Sequence, residues 1–128
     1  LIADTPATDF AVMIGHVRYD AIDDAPASLS PAIITGLLRG KLAYDGVVIT
    51  DNITMKAVAA RYSPEEAALR AVAAGADIIL VSHEYEAAIA AYNAILRALN
   101  TGVIPMERID ASVRRILRLK LAHEDVAK

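Results

Sequence analysis

Three times along the chain a short apolar run breaks off at a polar group: DFAVMIGH over residues 9–16, DGVVITD over residues 45–51 and ADIILVSH over residues 76–83. The runs begin at residues 9, 45 and 76, an interval that holds one β-strand and the helix needed to return to a parallel neighbour. This repeat predicts an α/β fold with parallel strands near residues 10–16, 46–51 and 77–82, joined by right-handed crossovers.

The intervening segments carry helix signals. Ser30-Pro31 offers an N-cap with proline at the first helical position, ahead of Ile33, Ile34, Leu37 and Leu38 at helical spacing. Ser63-Pro64-Glu65-Glu66 reads as a capping box, and Gly75 as a left-handed stop. Further on, Ala88, Ile89, Tyr92, Ile95, Leu96 and Leu99 mark one helix face, ended by Asn100-Thr101-Gly102. A last helix follows Pro105, with Ile109, Val113, Ile116 and Leu117 inward and Arg114, Arg115 and Arg118 mostly outward. A solvated face accounts for those arginines, and they are given no function.

Three parallel strands make a poor domain alone, because such a sheet needs both faces covered and its edges leave backbone groups unpaired. Eight βα units close a barrel of roughly 250 residues, about twice the length of this chain of 128 residues. The expectation is therefore a partial (β/α)8 domain over residues 1–128, completed by strands supplied from elsewhere. The chain starts at Leu1 without an initiating methionine, which suggests a start inside something larger.

If the strands are parallel, His16, Asp51 and His83 lie together at their C-terminal ends, the rim where such folds keep their chemistry. Asp51 is the residue most in need of explanation, since a β-branched run stops on it and a carboxylate leaving a buried strand loses solvation unless something holds it. It is a candidate nucleophile or base. The two histidines with Asp51 also suit a zinc or iron site, and strand-end capping by polar residues is the third account. For His83 a place at the start of the next helix suffices. Met55, about one turn beyond Asp51, either fills a core gap or lines a sugar-binding wall. Asp20, Asp23 and Asp24 in the loop RYDAIDDAPASLS read as surface acids without calcium-loop spacing.

Composition narrows the partners. Thirteen Lys and Arg against sixteen Asp and Glu give a net charge of −3, with six aromatics and no basic stripe, which argues against nucleic acid. There is no cysteine, so thiolate metal sites and a cysteine nucleophile are excluded. No apolar run reaches the ~18 residues of a membrane span, and residues 1–4 have neither a basic leader nor a cleavage pattern, so a soluble, cytoplasmic protein is expected. No phosphate loop or GxSxG elbow is present.

The segments AVMIGHVRYDAIDDAPASLS, LLRGKLAYDGVVITDNITMKAV, AALRAVAAGADIILV and ERIDASVRRILRLK occur in the order found in glycoside hydrolase family 3. They resemble above all its bacterial β-N-acetylhexosaminidase (β-N-acetylglucosaminidase) branch, over essentially the whole chain. The resemblance implies the C-terminal half of a (β/α)8 catalytic barrel, with Asp51 as nucleophile and His16 and Met55 near the sugar. The glucosidase branch commonly has an aromatic residue directly after the nucleophile, where this chain has Asn52; that favours the hexosaminidase branch. The histidine acid/base of the branch lies in a KH-x-PGHG-like segment that is absent here.

What the resemblance implies is retaining hydrolysis of terminal β-linked N-acetylglucosamine, on a glycan or muropeptide, through a glycosyl-enzyme on Asp51. It implies no metal and no cofactor. The chain alone is expected to be inactive and to require the missing N-terminal half as its partner. The rivals are a family 3 β-glucosidase-type enzyme, a non-catalytic half-barrel that assembles with a partner chain, and a metal-dependent hydrolase built on His16, Asp51 and His83.

Overall fold

The computed structural model describes residues 6–7 and 9–123; the readings made at residues 1–4 lie outside them. Strand β1 (Val12–Ile14) runs parallel to β4 (Val48–Thr50), with Val12 opposite Val48, Met13 opposite Ile49 and Ile14 opposite Thr50. The third expected strand lies on the other side of β4, also parallel, but it joins through a single bridge between Ile49 and Ile78. The reason is local. The N–H of Leu80 goes to the Oγ1 of Thr50 at 3.1 Å, so a side chain takes the place of the backbone carbonyl that would have continued the ladder. β4 is thus the central strand of the three.

The segment after β1 departs from the loop expected for it. Strand β2 (Arg18–Tyr19) pairs antiparallel with β3 (Asp23–Pro26), through an irregular register. A 3₁₀ turn at Ala27–Leu29 follows. These pieces are shorter than any periodic pattern can reveal.

The first crossover is helical, as predicted, and its entry is capped by Ser30, whose Oγ accepts from the Ile33 amide at 3.2 Å. Its winding differs. Ala32–Lys41 is a π-helix, closed at its end by the Leu42 N–H on the Leu37 carbonyl five residues back. Over ten residues the spacing of Ile33, Ile34, Leu37 and Leu38 suits either winding, and Gly36 and Gly40 weaken the preference for α.

A short helix α1 (Lys56–Ala59) precedes α2 (Pro64–Ala74). α2 carries the full capping box: Ser63 Oγ accepts from the Glu66 amide, and Glu66 accepts from the Ser63 amide. It stops at Gly75, whose φ of +114° lies in glycine's territory; a Cβ there would come within 2.8 Å of Thr35 Oγ1.

Helix α3 (Tyr85–Asn100) corrects the predicted face. Its buried residues are Ala87, Ala91, Ala94 and Ala98, while Ile89, Tyr92 and Leu96 are exposed. α2 is also alanine-rich on its buried side, at Ala67, Ala68, Ala71 and Ala74, so the two helices approach closely through small residues. Two apolar stripes lie side by side on α3, and periodicity cannot choose between them.

Helix α4 (Met106–His123) is likewise rotated from its expected face: Val113 and Leu117 are exposed, whereas Arg115 is drawn inward. The cause is Asp77, at the entry end of the third extended stretch, whose side chain has 0% exposed surface. Its Oδ2 accepts from Arg39 at 2.7 Å and from the Val48 amide at 3.0 Å, and its Oδ1 from Ser112 at 2.6 Å and Arg115 at 3.3 Å. Arg108 Nη1 stands 3.7 Å from the same oxygen and donates through Nη2 to the Ala76 carbonyl. A buried carboxylate is tolerable only with such partners. Burial pushes the Arg108 guanidinium below its ordinary value, and Asp77 works against that push.

Between these layers Ile34, Val47, Val48, Ile53 and Val58 are fully enclosed, each worth roughly 1.5–3 kcal/mol of burial. Tyr44 seals the bottom of β4, its hydroxyl lying 3.0 Å from the carbonyls of Phe10 and Val47. Gly46 sits so near the Tyr44 ring that no Cβ fits. Among the described residues no helix is long and apolar enough to cross a membrane.

Candidate active site

The exit ends of the three extended stretches converge on one residue, Asn52. Its amide donates to Asp51 Oδ1 at 2.7 Å. Its carbonyl accepts from His16 Nε2 at 2.8 Å. Its side-chain Oδ1 accepts from the Thr54 amide at 3.3 Å, the Thr54 hydroxyl at 3.1 Å and the Ser82 amide at 3.1 Å. One asparagine therefore ties the end of β1, the end of β4 and the end of the third stretch.

Asp51 follows β4 directly, and its own amide continues the pairing with β1 by donating to the Ile14 carbonyl at 2.9 Å. The residue is partly exposed. Among the described residues, the Asn52 amide is the one hydrogen-bond donor to its carboxylate; Oδ2 receives none. A half-open carboxylate with one oxygen held and one uncommitted is chemically able to attack an electrophile or accept a proton.

His16 comes to the same rim. A carbonyl oxygen can only accept, so the Nε2 that faces Asn52 carries a proton, and Nδ1 lies 2.6 Å from the Ser28 hydroxyl, from which it accepts when the ring carries that one proton. Ser28 is fully buried in the turn after β3. That turn is anchored by Ser30, which donates to Asp23 Oδ2 at 2.6 Å, while Asp23 Oδ1 accepts from the Ala25 amide. Asp23 is thus a structural acceptor rather than a plain surface acid. The Ser30 hydroxyl, followed by the backbone amide, holds its carboxyl below the ordinary value of 3.8.

Met55 stands at the start of α1, 45% exposed, with extended backbone (φ −62°, ψ 144°). It is not a core filler. His83 is exposed, with φ of +65°, an uncommon conformation for a residue with a side chain. Asp20 makes an exposed pair with Arg18, and the Asp24 carbonyl accepts from Arg61. Among the described residues no group of three or more His, Asp or Glu is gathered as a ligand set for a metal ion, so His16, Asp51 and His83 share an end of the sheet without converging.

Sequence reasoning brought Asp51, His16 and Met55 to this end, noticed Asn52 without its role as a junction, and missed Ser28. For Asn52 a signal existed: an asparagine straight after a strand, two residues before Thr54, is a favoured Asx turn. Ser28 carried none, since one serine among turn residues looks like any other.

Comparison with known proteins gives this end of the sheet a context. The model of the glycosyl hydrolase family 3 N-terminal domain matches residues 4–119. A β-hexosaminidase of Chromobacterium violaceum is 39% identical over 89 residues, 70% of this chain and 24% of that protein. Among solved structures, a glycoside hydrolase family 3 β-N-acetylglucosaminidase from Paenibacillus sp. str. FPU-7 superposes with a TM-score of 0.84 at 52% identity, over 87% of this chain and 22% of that one. The β-N-acetylglucosaminidase from Thermotoga maritima gives 0.80 at 36% identity, over 85% and 24%. The chain therefore spans about a quarter of the length of the proteins it matches.

Proposed function

The chain belongs to glycosyl hydrolase family 3, and from that premise we propose that it supplies the nucleophile and one wall of the active site of a retaining exo-β-N-acetylglucosaminidase. The remainder of the barrel comes from the N-terminal half. The observation that carries the proposal is Asp51: a partly exposed carboxylate at the exit of the central strand, with Oδ1 held by an amide and Oδ2 uncommitted. That is the position and state in which an α/β barrel presents a reactive acid.

In the proposed reaction Asp51 Oδ2 attacks the anomeric carbon as the glycosidic C–O bond breaks. The departing oxygen takes a proton from an acid/base supplied by the N-terminal half. The resulting ester is then cleaved by water, whose proton returns to the acid/base. Met55 and the ring of His16 line the sugar pocket. The substrate is a glycan or muropeptide ending in β-linked N-acetylglucosamine, met in the cytoplasm; the names of the relatives and Asn52 in place of an aromatic residue support that choice over a β-glucoside.

The test is to treat the complete domain with an N-acetyl-β-glucosaminide and with a fluorinated sugar that traps glycosyl-enzymes, and to map the label by mass spectrometry. Label on Asp51, lost in Asp51→Asn together with on the order of several kcal/mol of transition-state stabilisation, is expected. Label on another residue, or an Asp51→Asn protein of parental rate, overturns the assignment.

A further inference from the structure

His16 is bound on both sides by the protein itself. Nε2 gives its proton to the Asn52 carbonyl at 2.8 Å, and Nδ1 is occupied by the Ser28 hydroxyl at 2.6 Å. A histidine that contacts sugar hydroxyls through its nitrogens needs one of them free. One that exchanges protons with substrate needs a proton not already directed at a backbone carbonyl. Neither condition is met, so the ring's chemistry is spent inside the protein.

Its target is informative. Asn52 is held at every polar backbone and carbonyl-type atom: the amide by Asp51, the carbonyl by His16, and the side-chain oxygen by Thr54 and Ser82. The contacts from His16 and Ser82 come from other strands, and the one from His16 fixes the backbone immediately after the Asp51–Asn52 peptide. Behind His16, Ser28 is fully buried, and Ser30 two residues on is bonded to Asp23 and to the Ile33 amide. The support is itself supported.

We infer that His16 is a positioning residue: backed by Ser28, it clamps the Asn52 backbone so that the Asn52 amide stays on Asp51 Oδ1 and Oδ2 is left as the attacking oxygen. This rests on Asp51 being the nucleophile. It assigns His16 an effect on reaction geometry in addition to its place in the pocket wall, and it gives Ser28 a part in the site.

The test compares the complete domain with its His16→Phe, His16→Gln, Ser28→Ala and Asp51→Asn variants, each checked for folding by its melting temperature, on an N-acetyl-β-glucosaminide. Phenylalanine keeps the ring wall but donates nothing; glutamine can place an amide N–H at the Asn52 carbonyl. Misplacement of a reacting group by an ångström costs up to about 100-fold, so His16→Phe is expected to lose about 10- to 100-fold in kcat with KM little changed. His16→Gln should recover most of that loss, and Ser28→Ala should fall between the two. Nitrogen NMR of the His16 ring in the unsubstituted domain, which needs no variant to fold, should find the proton on Nε2. A proton on Nδ1 with none on Nε2, an unchanged kcat in His16→Phe, or a loss confined to KM overturns the clamp. If Asp51→Asn retains the parental rate, the nucleophile assignment fails first; an inactive Asp51→Asn beside an unaffected His16→Phe removes the clamp alone.

Discussion

Arg39 and Asp77, 38 positions apart in the sequence, meet at 2.7 Å at the entry end of the sheet, where the carboxylate has no exposed surface. Asp77 joins two helical segments to the start of the strands, because its partners include Arg39 after the first strand and Arg108, Ser112 and Arg115 on α4. Removing it leaves Arg39 and Arg108 without a counter-charge and Arg115 with Asp45 alone. Asp77→Ala is therefore expected to cost about 3–5 kcal/mol in urea unfolding, the usual penalty for breaking a buried pair. Arg118→Ala, which removes a largely exposed contact with Asp45, should cost less than about 1 kcal/mol.

Glycine substitutions should separate conformation from space. At Gly75 alanine meets both a φ of +114° and the Thr35 hydroxyl at 2.8 Å, so Gly75→Ala is expected to cost about 1–3 kcal/mol or more. Gly102 shares the left-handed backbone, at φ +73°, but has open space around it; its alanine variant should cost about 1 kcal/mol. Gly15, with neither constraint, should tolerate alanine. Thermal unfolding that ranks the three in any other order contradicts the geometry.

Asn52→Asp keeps an oxygen where Thr54 and Ser82 donate, so the fold should hold. It also sets a second negative charge beside Asp51, and a like charge disfavours ionisation. Asp51 would then stay protonated to higher pH, and the acid limb of kcat/KM in the complete domain should move upward in pH. An unmoved limb would mean that Asp51 is not the group whose ionisation sets it.

Acid stability has a definite sign. The folded Asp23 carboxyl lies below its ordinary value of 3.8 because of the Ser30 hydroxyl and the Ala25 amide. A depressed carboxyl contributes stability that is complete above the unfolded value and disappears as the pH falls through the folded one. At Asp45 burial pushes upward, but the hydrogen bonds from Arg118 and Arg115 prevail and the net direction is also downward. Asp23→Asn should accordingly lower the urea midpoint at neutral pH and narrow the difference between neutral pH and pH values below about 3. Equal losses at both pH values would rule out a charge-dependent role for Asp23.

The repeat of strand and crossover, the capping box at Ser63 and the stop at Gly75 were legible because each depends on a few consecutive residues. The parallel order of β1 and β4 followed from the length of the segment between them. Asp51 stood out because one polar atom ended an apolar strand. Other features depended on distant residues. Nothing near Asp77 announced that arginines from two helices would enclose it, and that enclosure is what turned Arg115 inward. The face of α3 was misread for a similar reason: Ala87, Ala91, Ala94 and Ala98 pack where a helix rich in alanine comes close, a partner that α3 alone does not specify. Asn52 was noticed as a departure from an aromatic residue, whereas its role as a junction depends on His16 and Ser82, which arrive from other strands.

The two ends of β4 are held by different kinds of bond. At its entry are arginine and aspartate charges centred on Asp77; at its exit are an imidazole, hydroxyls and amides centred on Asn52. Most routes to a more robust enzyme trade activity for rigidity where the same residues serve both. Here the two demands are written into separate addresses along one strand. Selection, or an engineer, is free to vary the entry end for endurance at heat or in acid while the atoms around Asp51 keep their places.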